Sequence, residues 1–115
     1  PWGGLTIVVP FTEFSLDNGC PELCIGSHKK PPSQSIYKME GNDSEIYKID
    51  DSYLSEFKKV RLKASPSDLI IFPMTTVHRS GINISDQVRI CALIRYYSYN
   101  HESFIPIKES YSKIV

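Results

Sequence analysis

The sequence has no excess charge, no long apolar run and few cysteines, and each absence argues against a class of protein. Thirteen lysines and arginines balance thirteen acidic residues among 115, so net charge gives no reason to expect nucleic acid or an anionic membrane as partner. No apolar run approaches the roughly 18–20 residues of a membrane span. The first ten residues, PWGGLTIVVP, lack the basic region and cleavage site of a signal peptide. A globular protein of one domain is expected.

The three cysteines, Cys20, Cys24 and Cys91, cannot all pair with one another. Cys20 and Cys24 are close in sequence, but no second cysteine pair or histidine pair completes a zinc site. Free thiols in a reducing compartment are the simpler interpretation, so the sequence predicts a cytoplasmic protein. Two common catalytic motifs are also missing, the Gly-x-Ser-x-Gly elbow and the phosphate-binding glycine loop.

What the sequence does have is a series of short β-branched and aromatic runs separated by turn residues. Asn18-Gly19 predicts a tight turn, and residues 51–57 fit a single helical turn, whereas most of 36–57 is uninformative. Turn signals roughly every 8–12 residues, with little helical periodicity, predict an all-β fold, either a sandwich or a jelly-roll barrel. The clearest strands are predicted at residues 5–14, 22–25, 60–64, 68–73 and 88–97.

The last two predicted strands flank the residues best suited to chemistry. The first of them leads towards His78, which we place in a turn region, and Arg89 opens the second. Period-2 alternation puts Arg89, Cys91, Leu93 and Arg95 on one face of that strand. A metal-binding imidazole and a fixed guanidinium on neighbouring strands of one small barrel would suit an iron site that holds a dicarboxylate.

Each of these residues also has a structural interpretation. A lone histidine is more often structural than a ligand, and we interpret His28 and His101 in that way. An inward-facing arginine must be paired, because an unpaired buried charge is costly, and an ion pair from Arg89 to Asp68 or to a glutamate would satisfy it. Arg95 lies near the exposed end of its strand, which favours a structural role. The residues alone therefore also allow a non-catalytic β-sandwich that binds an acidic or sugar ligand.

Two blocks of the sequence resemble the phytanoyl-CoA dioxygenase family of iron(II)- and 2-oxoglutarate-dependent oxygenases. Residues 17–29, DNGCPELCIGSHK, are similar to a family segment that ends in Gly-Ser-His. Residues 67–96, SDLIIFPMTTVHRSGINISDQVRICALIRY, are similar to the segment that carries the family's distal histidine and its arginine. The two blocks cover about a third of the chain, and their order and spacing also fit. The resemblance implies a double-stranded β-helix, which is a jelly-roll of the cupin type.

The resemblance also implies roles for three residues. His78 matches the distal metal-ligating histidine, Arg89 the arginine that pairs with the distal carboxylate of 2-oxoglutarate, and Ser80 a hydroxyl that assists it. The implied cofactors are Fe(II) and the co-substrate 2-oxoglutarate, with ascorbate as an accessory reductant, and the implied partner is a small organic substrate to be hydroxylated. Two histidines and one carboxylate would leave iron positions open for the 2-oxo acid and for O₂.

The sequence departs from the family pattern at the other two iron ligands. It contains no His-x-Asp and no His-x-Glu, and by the family alignment that motif falls shortly upstream of Pro1. We therefore expect residues 1–115 to be the C-terminal portion of a catalytic domain, with a degenerate oxygenase fold kept for interaction as the alternative. A fragment of this kind would have uncovered sheet edges, so we predict that the isolated chain dimerises or aggregates.

Overall fold

The protein is built almost wholly from short strands. The computed structural model describes residues 3–32, 35–38 and 45–100. In that part the chain has one α-helix, α1 (Asp51–Ser55), and one 3₁₀ turn, Ser27–Lys29. None of the described helices is long and apolar enough to cross a membrane. The strands are β1 (Gly4–Pro10), β2 (Pro21–Cys24), β3 (Ser35–Lys38), β4 (Glu45–Lys48), β5 (Lys59–Arg61), β6 (Ile70–Pro73), β7 (His78–Ser80) and β8 (Cys91–Tyr97).

Six of these strands form two three-stranded sheets. The first sheet has the order β6-β1-β8, the second sheet has the order β5-β2-β7, and β3 and β4 form a separate pair. Every pairing is antiparallel. From β5 onward, successive strands alternate between the second and the first sheet, which is the connectivity of a jelly-roll. The predicted all-β, cupin-like fold is confirmed.

Alternation along the strands builds a core between the two sheets. In β1, Thr6 and Val8 are buried while Leu5 is exposed. The register places Val8 opposite Ile70 of β6, so these side chains share one face of the first sheet. Leu23 of β2 enters the same cluster from the second sheet. The buried hydrophobic residues of the cluster are Val8, Phe14, Cys20, Leu23, Ala64 and Phe72.

The other face of the first sheet, here called the apolar outer face, carries no charged side chain among the described residues. Ile71 and Tyr96 on this face are 56% and 67% exposed. Antiparallel sheets that meet water on one side normally carry polar residues there, so an apolar face of this kind is typical of a covered surface. The register assigns to this face Leu5, Ile7 and Val9 of β1, Ile71 of β6, and Ala92, Ile94 and Tyr96 of β8.

The predicted strand at residues 5–14 is interrupted. β1 ends at Pro10, whose ring nitrogen cannot donate a further ladder hydrogen bond, and the chain then bends. Phe14 pairs again, but as an isolated bridge with Ala64 of another segment. The predicted strand at 88–97 is also shorter than expected, since β8 begins at Cys91. The helical turn predicted at 51–57 is confirmed as α1.

The prediction that His78 lies in a turn region was wrong. His78 opens β7, which hydrogen-bonds to β2 so that His78 lies opposite Leu23. The polar sequence of β7, His-Arg-Ser, hid this pairing, because its three residues are exposed and have little strand propensity. Strand β3 was not predicted, and residues 101–115, which include His101, lie outside the described residues.

Candidate functional site

Arg89 extends into the space between the two sheets, where neutral groups surround it. Its Nη2 lies 3.5 Å from Ser80 Oγ and its Nη1 lies 3.9 Å from Cys91 Sγ. Its Cζ lies 4.8 Å from the centroid of the Phe14 ring. The Nε atom is buried and has no hydrogen-bond partner in the described part of the chain. Because a buried donor without an acceptor is costly, this guanidinium is prepared to receive an anion.

The structural interpretation of Arg89 finds no support among the described residues, where no carboxylate lies within ion-pair distance of it. Asp68 instead accepts hydrogen bonds from the backbone N and the hydroxyl of Ser65, at 2.7 and 3.0 Å. These bonds hold the pKa of the Asp68 carboxyl below its usual value. Glu22 is paired elsewhere, 2.7 Å from Arg79 Nη2.

His78 has the surroundings of a histidine prepared to bind a metal. Its Nδ1 lies 2.8 Å from the carbonyl oxygen of Thr76. A carbonyl can only accept, so Nδ1 carries the proton and Nε2 keeps a free lone pair. The ring also packs edge-on against the buried Phe72, with 4.9 Å between centroids. Metal-binding histidines commonly donate their second ring N–H to a carbonyl in this way, which fixes the orientation of the ring.

Ser80 links the imidazole side of the site to the guanidinium. His78 and Ser80 are two residues apart on β7, so their side chains project from the same face of that strand. Ser80 Oγ is at the outer limit of hydrogen-bond distance from Arg89. His78 opens β7 of the second sheet, whereas Arg89 lies two residues before β8 of the first sheet. Of the three residues singled out in the sequence, Ser80 and Arg89 approach each other directly, and His78 lies two residues from Ser80 on β7.

The described residues supply one metal-ligating side chain at this site. No group of three or more His, Cys, Asp or Glu in that part of the chain could hold a metal ion. His28 lies in the 3₁₀ turn that follows β2. The buried, unpartnered Nε of Arg89 fits a carboxylate, and the free Nε2 of His78 fits one ligand position of a metal. The described residues thus offer a cationic group for an anion and one imidazole that could ligate a metal.

A hollow of about 160 Å³ lies beside β2 and β7 and shares His78 with the candidate site. Neither Arg89 nor Ser80 lines it, and its volume is below the roughly 300 Å³ at which small-molecule sites usually begin. We therefore do not assign the dicarboxylate to it. Its lining residues are Glu22, Cys24, Ile49, Leu54, Lys59, Val77, His78 and Arg79.

Sequence reasoning missed the residues that support His78. Ser27 is fully buried, and its hydroxyl accepts from the backbone N of Val77 at 2.9 Å while it donates to the Cys24 carbonyl at 2.8 Å. These bonds fix the loop that leads into His78. Ser27 belongs to the Gly-Ser-His segment on which the family resemblance rests. The resemblance therefore included this residue, but it did not indicate that its hydroxyl fixes the loop before His78. Thr76, whose carbonyl orients the His78 ring, had no sequence signal.

The alternation predicted along the last strand is confirmed. Cys91, Leu93 and Arg95 lie opposite Pro10, Val8 and Thr6 of β1, on the face that bounds the core. Arg95 is exposed and makes no ion pair within the described residues, so its structural role stays a prediction.

Comparisons with known proteins agree with the fold and with the sequence blocks. The crystal structure of EvdMO1 superposes with a TM-score of 0.63 at 23% identity, over 84% of this chain and 20% of that chain. The likeness shows a shared fold, and this chain spans about a fifth of the length of that one. No curated protein matches the chain significantly. A family model of phytanoyl-CoA dioxygenase (PhyH) matches residues 3–91, a stretch that contains His78, Ser80 and Arg89. The chain therefore belongs to the phytanoyl-CoA dioxygenase family.

Proposed function

We propose that this chain is part of an Fe(II)- and 2-oxoglutarate-dependent dioxygenase that hydroxylates a small organic substrate. The observation that carries the proposal is Arg89, a guanidinium with a buried, unpartnered Nε and no described carboxylate beside it. Family membership supports a dioxygenase of this general type. The position of His78, with its Nε2 free and Ser80 next to Arg89, supports the assignment of the metal and co-substrate sides.

Arg89 would bind the distal carboxylate of 2-oxoglutarate. A guanidinium offers a rigid fork of donors that matches the two oxygens of a carboxylate, and such charge-assisted bonds are stronger than neutral ones. Ser80 would add a hydroxyl donor beside this fork. The neighbouring Phe14 ring and Cys91 thiol bring no negative charge, so the carboxylate would face no repulsion when it binds.

His78 would hold the metal through Nε2 while the Thr76 carbonyl keeps the ring in place. Bound Fe(II) and 2-oxoglutarate would allow O₂ to act as the oxidant of a C–H bond. One oxygen atom would enter the hydroxylated product, and the other would enter the succinate formed from 2-oxoglutarate with release of CO₂. Buried aromatic residues such as Phe14 and Phe72 would keep water from this interior. Ascorbate would act as an accessory reductant.

The proposal places the other two metal ligands in sequence upstream of Pro1, as a His-x-Asp pair. Residues 1–115 would then be the C-terminal portion of the catalytic domain. The three cysteines are free in the structure, which is compatible with a cytoplasmic, reducing environment for the enzyme.

The test is succinate formation from 2-oxoglutarate with Fe(II), ascorbate and O₂, measured on the protein extended upstream of Pro1. We expect slow turnover even without the organic substrate. His78→Ala should abolish it, and Arg89→Lys should raise the 2-oxoglutarate requirement about tenfold or more, since a lysine cannot form the two-pronged contact. A well-folded extended protein with neither turnover nor iron binding would refute the proposal.

A second candidate function follows from the incomplete metal set in the described residues. A degenerate member of the family would keep the Arg89 site as a binding module for an acidic ligand without catalysis. Sequencing upstream of Pro1 separates the two, because His-x-Asp there favours the enzyme. For the 115-residue chain alone, calorimetry should show weak or no iron binding, since one imidazole cannot hold Fe(II).

A further inference from the structure

We propose that the segment from Phe11 to Asn18, here called the arm, positions Arg89 for its anion, and that Phe14 holds the guanidinium itself. The inference rests on the proposed 2-oxoglutarate site and assigns positioning roles to Phe14 and Thr12. The arm follows β1 and lies far from Arg89 in sequence. It reaches Arg89 in two independent ways, one through the backbone and one through the side chain.

The first contact is with the peptide group that follows Arg89. The backbone N atoms of Phe11 and Thr12 both donate to the carbonyl of Ile90, at 2.9 and 3.3 Å. The Ile90 backbone N in turn donates to Thr12 Oγ1 at 2.9 Å. Ile90 is thus held on both sides although β8 begins only at Cys91. The backbone of Arg89 is fixed where the regular ladder does not yet reach.

The second contact is with the guanidinium. Arg89 Cζ lies 4.8 Å from the centroid of the Phe14 ring, which is within the range of a cation–π interaction. Phe14 is 1% exposed and is the largest fully buried side chain in the described residues. Its backbone N donates to the Ala64 carbonyl at 2.7 Å, and the Ala64 N donates back to the Phe14 carbonyl at 3.3 Å.

A buried amide fixes the residues on either side of Phe14. Asn18 Nδ2 donates to the Glu13 carbonyl at 2.7 Å, and Asn18 Oδ1 accepts from the Ser15 backbone N at 2.8 Å. Asn18 is itself 3% exposed. Glu13, Phe14 and Ser15 are therefore all held at their backbone atoms, so the ring has a fixed place beneath Arg89.

This arrangement orients the cation without neutralising it. A carboxylate in the same place would hold Arg89 equally firmly, but it would compete with any anionic ligand. An aromatic face attracts the guanidinium through its quadrupole and leaves the full positive charge for the ligand. A long arginine side chain loses considerable rotamer freedom on binding, so holding it beforehand lowers the cost of that step.

The experiment titrates 2-oxoglutarate into the 115-residue chain and follows the Arg89 Nε–H resonance by NMR. Two variants remove the arm's contacts, Phe14→Leu and Thr12→Val, and two serve as controls. Thr12→Ser keeps the hydroxyl that accepts from Ile90. Val8→Ala removes part of the same core from β1, outside the arm. Thr12 is only half-buried, so its variants keep the test decisive if Phe14→Leu does not fold.

We expect Phe14→Leu and Thr12→Val each to weaken 2-oxoglutarate binding about fivefold or more, and the two controls to stay within about twofold. The Arg89 Nε–H resonance should also move in Phe14→Leu before any ligand is added, because the ring current of Phe14 is lost. A role for Phe14 only in core packing would not move that resonance selectively.

The outcomes separate this inference from the proposed function. If the unaltered chain binds no 2-oxoglutarate, Arg89 does not bind this anion without the metal, and turnover of the extended protein decides the proposed function. The ligand-free Arg89 resonance in the variants still decides whether the arm positions the side chain. If the unaltered chain binds and both arm variants bind equally well, the positioning role is refuted while the function stands. If Val8→Ala weakens binding as much as Phe14→Leu, the effect is a general loss of core rigidity and the inference is also refuted.

Discussion

The two sheets have similar sizes and the same antiparallel pairing, but their outer faces differ completely. The first sheet presents the apolar outer face, on which Ile71 and Tyr96 are more than half exposed. On the outer face of the second sheet, Glu22 is 12% exposed and lies 2.7 Å from Arg79 and 3.5 Å from Arg61. The outer face of the second sheet thus carries paired charged side chains, whereas that of the first sheet carries none among the described residues.

The difference indicates which sheet has an outer surface suited to burial against other protein. The inner faces of both sheets share one core, so the chain can fold around Val8, Leu23 and Phe72. On the outer face of the second sheet the charged side chains form ion pairs, whereas the first sheet exposes an apolar surface that is suited to burial. Among the strands of the described residues, β8 is also the last strand of the first sheet.

The largest predicted effect is on the association state of the 115-residue chain. We expect it to dimerise or aggregate, because the apolar outer face and the β8 edge are both available for pairing. The double variant Ile71→Lys with Ile94→Lys should shift it to a monomer in sedimentation velocity. Lys59→Ala on the second sheet is the matched control and should change nothing. A monodisperse monomer for the unaltered chain would contradict the prediction.

Stability should respond very differently on the two faces of β1 and β8. Val8→Ala removes buried methyl groups and leaves a cavity, so it should lower the free energy of unfolding by about 2 kcal/mol. Ile94→Ala on the apolar outer face should lower it by about 1 kcal/mol or less, because that side chain is already 47% exposed. Urea denaturation measures both, provided that it is run at protein concentrations where the chain is monomeric. If Val8→Ala and Ile94→Ala lowered the free energy of unfolding equally, the apolar outer face would be covered in solution.

The ion pairs of the second sheet should make a moderate contribution. Glu22→Gln leaves Arg61 and Arg79 without a carboxylate, and we expect it to lower the free energy of unfolding by about 1–2 kcal/mol. Added salt should reduce the difference from the unaltered chain. The exposed Lys30–Glu56 pair is the comparison, and Glu56→Gln should have no measurable effect. If Glu22→Gln and Glu56→Gln changed the free energy of unfolding equally, the burial of Glu22 would not strengthen its ion pairs.

The smallest predicted effect concerns the turn that leads from the second sheet into the first. Hydrogen bonds from Ser65 lower the pKa of Asp68 in the folded state. A lowered folded pKa means that the stabilisation is present above the unfolded-state pKa and is lost as the pH falls through the folded one. Asp68→Ala should therefore be slightly less stable than the unaltered chain near neutral pH and indistinguishable in strong acid. A difference that persists in acid would assign the effect to packing.

The sequence predicted the parts of this structure that depend on local pattern. Alternation placed Cys91 and Leu93 on the same face of β8, opposite Pro10 and Val8 of β1, while the roles that the family segments imply for His78 and Arg89 stay predictions. Asn18-Gly19 was predicted as a turn, and Gly19 has the positive φ of 80° that such a turn needs. These features depend on neighbours in the chain, so the sequence displays them directly.

What the sequence did not reveal depends on contacts between distant segments. Nothing local distinguishes Phe14 from any other buried phenylalanine, because its role comes from the bridge to Ala64 and from Arg89 above its ring. The role of Thr12 likewise arises only from its hydrogen bond with the Ile90 backbone N. β7 was missed for the same reason, since its strand character comes from pairing with β2 rather than from its own residues.

The direct pairing of β2 with β5 gives the fold a place where new sequence can be accommodated. Cys24 lies opposite Lys59, and the Ile25 backbone N donates to the Lys58 carbonyl at 2.9 Å, so the intervening chain leaves and returns at adjacent points. The entropy of closing a loop rises only slowly with its length. Extra residues inserted into this connection would therefore cost little in loop-closure entropy, provided that the contact of Tyr53 with Ser27 is kept.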